Sequence, residues 1–359
     1  MRGRQPAAAE KAISGTEFAA LMEAVERLGA SWPAAVAVSG GGDSLALLFL
    51  IEEWARSGSR RAPIVLFVDH GLKQHSGRDA LEIASRVRAH GLEAHVLSWR
   101  GRKPAANIES SAREARYRLM GNWCRANGIS CLFVAHTIDD QAETFLLRLS
   151  RGSGVDGLAA MAPVSPFPLP GFDELLVARP LLGESRSRLR AFLKLRGETW
   201  LEDEMNSDPR FARARLRSTW PTLANLGLSA ARIAAAARHL ARARAALEQD
   251  TEELLARASQ NRGDYALADA VQLSDAPEEI GLRSLARLLM EVSGRHQRPR
   301  FESLESLFAA IRLGALGGGR TLHGCRIGRA PKRRTLFGPD TLLISREARR
   351  SGGAGGEGN

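Results

Sequence analysis

The chain has 359 residues, 44% of them hydrophobic and 25% charged, with 51 Lys and Arg against 40 Asp and Glu and a net charge of +11. That length suits about two domains whose cores need no disulfide staples, and the composition excludes a wholly disordered or fibrous chain. The longest apolar run, Leu45–Ile51, is far short of the roughly 20 residues of a membrane span; with three sparse cysteines and no apolar stretch behind the early positive charges, a reducing cytoplasm is the expected setting.

Residues 1–16 read as a loose extension, and apolar spacing over 17–30 predicts a helix. A short apolar run, a loop and an amphipathic stretch then alternate. Ala35–Val38 reads as a strand and Leu45–Arg56 as its helix; Ile64–Val68 is followed by a helix over Arg78–His90. Ala94–Trp99 precedes a helix marked by Ile108, Ala112, Ala115, Leu119 and Trp123. Cys131–Ala135 precedes one marked by Ala142, Phe145, Leu146 and Leu149. Val177–Pro180 reads as a fifth strand, with Ser185 capping a helix to Arg196. Strands alternating with helices predict parallel strands joined by right-handed crossovers, hence one doubly wound α/β domain over 17–220.

The pattern changes near Trp220 and Pro221. Residues 229–258 read as one long helix, and 276–293 and 300–312 as two more. Thr321–Gly324, Cys325–Gly328 and Thr341–Ser345 read as short strands. The expected C-terminal part is thus a mainly helical, small mixed α/β region over 221–350, and the glycine-rich residues 351–359 form a flexible tail. From Arg295 to Arg350 there are 13 Arg and Lys but only 4 Asp and Glu. Only five of the basic residues are Lys, a bias that explains Arg over Lys but not this clustering. A basic lobe beside a near-neutral one is the footprint of a phosphate-rich partner.

In a doubly wound sheet the ligand lies outside the carboxyl ends of the strands, so the residues after each strand carry the chemistry. After the first strand come Ser39, Gly40, Gly41, Gly42, Asp43 and Ser44, then a helix. The glycines let the backbone turn its N–H groups inward as an anion nest, with the helix dipole behind it. No Gly-Lys-Ser/Thr follows, so this is not a Walker A loop. Asp69 and His70, then Gly71, Leu72 and Lys73, follow the second strand, where a polar cluster can meet an adenosine or simply start a helix. After the fourth strand, Asp139, Asp140 and Glu143 fall within one turn of a helix start, behind His136. Acids there suit the helix dipole. Three of them exceed a capping need and read as metal ligands or as a capture site for an amine. Arg113, Arg116 and Tyr117 share one helical face, and Arg210, Arg213, Arg215 and Arg217 follow one another without an acid, which suits a nucleic-acid backbone.

The string Ser39–Ser44 resembles the pyrophosphate loop of the ATP pyrophosphatases that release AMP and diphosphate. Taken with Asp69–Leu72, Glu109, Ala112 and Arg113, Arg116 and Tyr117, His136–Thr144, Arg148, Arg151–Gly154, Arg179–Leu182, and Asn206–Asp208 with Arg213 and Arg217, it resembles the tRNA(Ile)-lysidine synthases over roughly residues 40–217. Leu322–Ile327 resembles their late strand segment. Lys73 stands where the family has Arg, and Ala214 where it has Asn.

The resemblance implies a fold of the adenine-nucleotide alpha-hydrolase type, ATP and Mg²⁺ as cofactors, and free L-lysine and an isoleucine tRNA as partners, with no membrane. It implies joining of lysine to C2 of the first-anticodon-position cytidine through an adenylated intermediate, so that AUA is read as isoleucine. Ser39–Ser44, Asp69 and His70 would then bind the nucleotide. Asp43, Arg113, Asp139, Asp140 and Glu143 would be catalytic, Asp43 and Asp139 holding Mg²⁺, and Arg116, Arg148, Arg213 and Arg217 would contact tRNA. Rival readings are a tRNA thiolase with the same loop, an amidotransferase or NAD-synthetase type enzyme, and a non-catalytic ATP-binding RNA module. The thiolase reading wants paired reactive cysteines, whereas Cys124 and Cys131 read as core residues.

Overall fold

The computed structural model describes residues 10–71, 76–101, 103, 108–202 and 212–347. Leu72, Lys73, Asn206, Ser207, Asp208, Arg210, the tail 351–359 and the side chain of Glu109 lie outside the described residues. The chain divides into two compact units, Met1–Ala241 and Arg242–Asn359.

In the first unit, helix α1 (Gly15–Arg27) starts at a capping box: the Ser14 hydroxyl accepts from the Glu17 N–H, and the Glu17 carboxylate accepts from the Ser14 N–H. The residues just before it are not loose. Ile13 is buried in the core, and Glu10 accepts hydrogen bonds from Ser185 and Ser187. Then come β1 (Ala35–Val38), α2 (Gly42–Ser57), β2 (Ile64–Asp69), α3 (Ser76–Ala89), β3 (Glu93–Ser98), α4 (Ile108–Ala126), β4 (Cys131–Phe133) and α5 (Ile138–Leu149). The short α6 (Val155–Leu158), β5 (Val164–Pro166), β6 (Leu176–Ala178), α7 (Arg186–Leu195) and α8 (Ala212–Asn225) follow.

The strands form one sheet in the order β3-β2-β1-β4-β6-β5. β1 pairs parallel with β2 and with β4, Ala35 standing opposite both Ile64 and Leu132. The doubly wound parallel sheet is therefore present, with one correction: β5 runs antiparallel to β6. Three residues ending in Pro166 carry no alternation to reveal a strand, and proline is tolerated at a sheet edge. Side chains alternate between two cores. Val36 and Val38 pack with α1, α2, α3 and α7, while Ala35 and Leu66 pack with Tyr117, Met120 and Cys124 of α4. Both faces are covered, as a parallel sheet requires. Leu45–Ile51 of α2 is buried on every side, which is why it shows an apolar run rather than a stripe. β2 and β3 lie on one side of β1, and β4 and β6 on the other. The crevice between the carboxyl ends of β1 and β4 is thus a topological switch point. The pattern change at Trp220 and Pro221 falls inside α8, which runs through Pro221. A proline costs a helix one hydrogen bond without having to end it.

Helix α9 (Ala230–Ala258) carries residues of both units. The second unit continues with β7 (Ser259–Asn261), β8 (Tyr265–Asp269), α10 (Ala270–Asp275), α11 (Glu278–Ser293), α12 (Phe301–Arg312), β9 (Arg320–Leu322), β10 (Cys325–Arg329) and β11 (Thr341–Arg346). Its sheet is antiparallel, in the order β7-β8-β11-β10-β9. The long helix, the two that follow and the last three strands match the expected pattern. β7, β8 and α10 are not announced by it, because Tyr265–Asp269 is short and alanine-rich, a composition that suits helix better than strand. Among the described residues no helix is long and apolar enough to cross a membrane.

The core of this unit depends on one close approach. A Cβ at Gly281 would stand 2.3 Å from the Phe308 ring and 2.7 Å from the Leu273 carbonyl oxygen. Gly281→Ala is expected to destabilise the protein by about 1–3 kcal/mol through overpacking. That outweighs the roughly 1 kcal/mol alanine gains in a helix. A urea midpoint unchanged from the parent would mean that α11 does not meet its neighbours this closely.

Candidate active site

The loop after β1 is a tight glycine turn at the start of α2, its Gly41 N–H donating to Ser39 Oγ at 3.4 Å. Gly40 sits at φ +87°, where a Cβ would be strained and would also meet Ile83 at 2.2 Å. Gly41 is the N-cap of α2 and offers no capping side chain. Ser44 Oγ donates to the Gly41 carbonyl at 2.8 Å and accepts from the Ser39 N–H at 3.2 Å, which folds the loop over the helix start. The Leu201 N–H donates to the Gly40 carbonyl at 3.0 Å, and the Trp200 ring lies against Gly42. The result is a short, braced turn at a helix N-terminus, suited to an anion.

Across the switch point, α5 begins with Thr137 as its N-cap. Asp140 completes a capping box there, one oxygen accepting from the Thr137 N–H and hydroxyl at 2.8 Å each. Its other oxygen accepts from Arg186 Nη2 at 2.6 Å. Arg186 opens α7 and was not singled out by any motif. Its Nε donates to Asp43 at 3.2 Å and its Nη1 to Glu143 at 3.0 Å, while its backbone N–H donates to Asp139 at 3.0 Å. One guanidinium thus joins the loop acid Asp43 to the acids of α5. Glu143 is fully buried and also accepts from Arg217 Nε at 2.7 Å and Nη2 at 3.2 Å. Burial pushes the Asp43 carboxyl up to about 6 even with Arg186 beside it. Burial pushes Asp140 the same way, but Arg186, His136 and Thr137 together hold it below the usual carboxylate range.

A cluster of positive side chains adjoins this acidic centre. Arg113 and Arg116 lie over the Tyr117 ring at 5.1 and 5.8 Å. Burial, Arg113 and Arg213 all push the Arg116 guanidinium pKa down, so three cations crowd one spot, with no carboxylate partner among the described residues. Such crowding calls for an anion. His136, at the end of the β4 loop, is held neutral by burial and by Arg179, Arg113 and Arg116, its pKa lowered to about 3 despite Asp140. His70 is lowered to about 4, by burial first and then Arg116. Both leave a buried Nδ1 without a partner, an unusual cost that a bound group would remove. Asp69 accepts from the Gly71 N–H at 2.9 Å and ties down the turn that presents His70.

Two arginines expected on tRNA have partners within the protein. Arg217 is on Glu143, and Arg148 donates to the Gly157 and Ala160 carbonyls at 2.7 and 3.2 Å, holding the loop after α5. Arg116 and Arg213 stand together in the positive cluster, and Ser39–Ser44, Asp139, Asp140 and Glu143 converge at the switch point.

A family of PP-loop domains matches residues 16–223. A tRNA(Ile)-lysidine synthase of Bradyrhizobium sp. strain BTAi1 is 42% identical over 84% of this chain and 83% of its own. One of Methylobacterium nodulans is 38% identical over 90% and 93%, and one of Wolbachia pipientis wMel 38% over 88% and 71%. The chain belongs to the tRNA(Ile)-lysidine synthase family. Among solved structures it is similar to the U34-tRNA thiolase NcsA from Methanococcus maripaludis, with a TM-score of 0.51 and 15% identity over 63% of this chain and 79% of that one. That likeness is one of fold. The NcsA structure carries a [4Fe-4S] cluster. In this lysidine synthase chain, Cys124 and Cys131 are fully buried, and burial pushes their thiols up to about 12 and 11. They are neutral core side chains rather than thiolates.

Proposed function

We propose that the protein joins the amine of free L-lysine to C2 of the first-anticodon-position cytidine of an isoleucine tRNA, using ATP. The observation that carries this reading is the acidic centre of Asp43, Asp140 and Glu143, which already holds a cationic side chain and stands at the mouth of an anion-binding turn. A site for an amine beside a site for a triphosphate is what such a ligation needs.

The C2 oxygen of cytidine is a poor leaving group. Its attack on the α-phosphorus of ATP expels diphosphate and converts it into an adenylate ester. The lysine amine then adds at C2 and AMP departs. Ser39–Ser44 would take the β and γ phosphates, and the buried Nδ1 atoms of His70 and His136 face the nucleotide as hydrogen-bond acceptors or donors. An amine with an ordinary pKa near 10.4 must lose a proton before it attacks; Asp139, Asp140 and Glu143 supply the carboxylates that bind it as a cation and take that proton. Among the described residues no group of three His, Cys, Asp or Glu side chains stands ready for a metal ion, so a divalent cation would arrive with the nucleotide, and Asp43 at the phosphate turn is the acid placed to meet it. Mg²⁺ held there, with Asp139 beside it, would offset the charge of the departing diphosphate. Arg113, Arg116 and Arg213 receive the phosphates of the anticodon loop, whose cytidine is already partly unstacked. Arg148 and Arg217 act through the loop and the carboxylate they hold.

Incubation with ATP, lysine and isoleucine tRNA is expected to release AMP only when lysine and tRNA are both present, and to leave one lysine residue on one cytidine by mass spectrometry. Absence of AMP release would favour a non-catalytic ATP-binding module, AMP release indifferent to lysine a different PP-loop role, and sulfur incorporation a thiolase.

A further inference from the structure

The second unit contains a cavity of about 590 Å³ that no step above uses. Its wall is the turn between α11 and α12, with Arg295, His296, Arg298 and Arg300, and the tip of the β9–β10 hairpin, with Leu322 and His323. No lining residue is acidic. Arg295, Arg298 and Arg300 are exposed, while Pro299 between them is buried and anchors the turn. The helix α12 starts here with Arg300 at its N-cap and no side chain bonding to its first N–H groups, so these donors add to the positive field.

The hairpin tip is shaped to match. His323 and Gly324 have φ of +58° and +78°, a left-handed pair of the kind that closes a two-residue hairpin. Arg295 lies across the tip, its guanidinium 3.1 Å from where a Cβ at Gly324 would stand. His323 is hydrogen-bonded to the Gln297 backbone, and its Nε2 is buried without a partner. Next to Arg300 in the chain, Phe301 leaves 59% of its surface exposed. A bare phosphate would use the arginines but leave most of the cavity and the His323 nitrogen idle.

We propose that this cavity binds one phosphate-bearing nucleotide of an RNA chain. Arg295, Arg298 and Arg300 take the phosphate, His323 Nε2 pairs with a polar group of the nucleoside, and Phe301 stacks on a base. The inference rests on the functional reading above only in taking tRNA as the RNA.

The test uses the full chain and isoleucine tRNA. In Arg298→Gln/Arg300→Gln, both exposed positions, tRNA affinity is expected to fall about 10- to 100-fold near 0.1 M salt, and the slope of log Kd against log salt to drop by about 2. ATP binding and thermal unfolding should match the parent. The Lys/Lys pair should keep the slope. Phe301→Ser should weaken binding roughly tenfold without changing the slope, and Phe301→Trp should restore it. An unchanged affinity and slope in the Gln/Gln protein overturns the proposal. So does a Phe301→Ser protein with parental affinity whose RNA is displaced by millimolar inorganic phosphate, the behaviour of a simple anion site. If the parent releases AMP in response to lysine while these variants bind normally, only the cavity proposal fails. If the variants lose RNA as expected but the parent never responds to lysine, only the functional reading fails.

Discussion

The Arg186→Met protein is expected to release AMP in response to lysine roughly a hundredfold more slowly than the parent, the scale of loss that follows when a site's reacting groups are displaced by about an ångström. Arg186 is the shared partner of Asp43, Asp140 and Glu143, and its backbone N–H also fixes Asp139. Without the guanidinium, Glu143 keeps Arg217, but Asp43 and Asp140 lose their nearest cation. A partly buried carboxylate left that way either spreads from its neighbours or takes up a proton. The penalty for breaking such a pair is about 3–5 kcal/mol. Thermal unfolding alone would not separate a structural role from a positioning one, so the pH–rate profile is the deciding measurement. In Arg186→Met the acid limb should move upward, because both carboxyl groups hold their protons more tightly. Arg186→Lys should return the limb towards its original place by restoring the charge. It should not return the full rate, because an ammonium does not reproduce the planar fork that reaches three acids at once. A methionine variant with the parental limb and rate would mean that the acidic centre works without its arginine.

Arg186 also shows where local pattern stops. The loop at Ser39–Ser44 and the acids after β4 are contiguous strings at strand ends, and strand ends are where a doubly wound sheet places its ligand. They could be read without knowing which strands are neighbours. Arg186 is one arginine among Arg186, Arg188 and Arg190 in a helix start that looks like any charged surface turn. Only the strand order, with β6 beside β4, carries the first residue of α7 to the β1–β4 crevice. The same limit applies to charge. Arg217 belongs to a run without acids, which suits a phosphate backbone, yet its partner Glu143 is 74 residues away. A count along the chain cannot see such a pair. Asp140 was open to two readings, cap or functional acid, and its two oxygens serve one each. In the second unit, the strand β8 is hidden because its alanines satisfy the pattern of neither a buried strand nor a helix stripe. The glycines at 281 and 324 stand against Phe308, the Leu273 carbonyl and Arg295, groups that chain position does not bring near them.

Asp43→Asn is expected to strengthen the unliganded fold while removing the activity. Burial raises the Asp43 carboxyl to about 6, well above its value in an unfolded chain. The folded state therefore binds this proton more tightly. The stability it contributes is complete below about pH 4 and is lost as the pH rises through about 6; above that, ionised Asp43 costs the fold about 3 kcal/mol. Asparagine has the shape of the protonated acid and never pays the ionisation cost. The variant should therefore melt several degrees above the parent near pH 7.5, with the two converging near pH 4. Ligand binding should show the reverse. A cation brought to Asp43 with the nucleotide pulls the pKa down and expels the proton, so the parent's affinity for ATP with Mg²⁺ should climb between about pH 5 and pH 7. In Asp43→Asn it should be weak and flat over that range, and lysine-dependent AMP release should fall at least about a hundredfold. An asparagine variant less stable than the parent at every pH would show that the ionised carboxylate holds the loop to Arg186 more strongly than burial opposes it. The negative charge at the phosphate turn would then be structural, and the cation-binding role of Asp43 would fall with it.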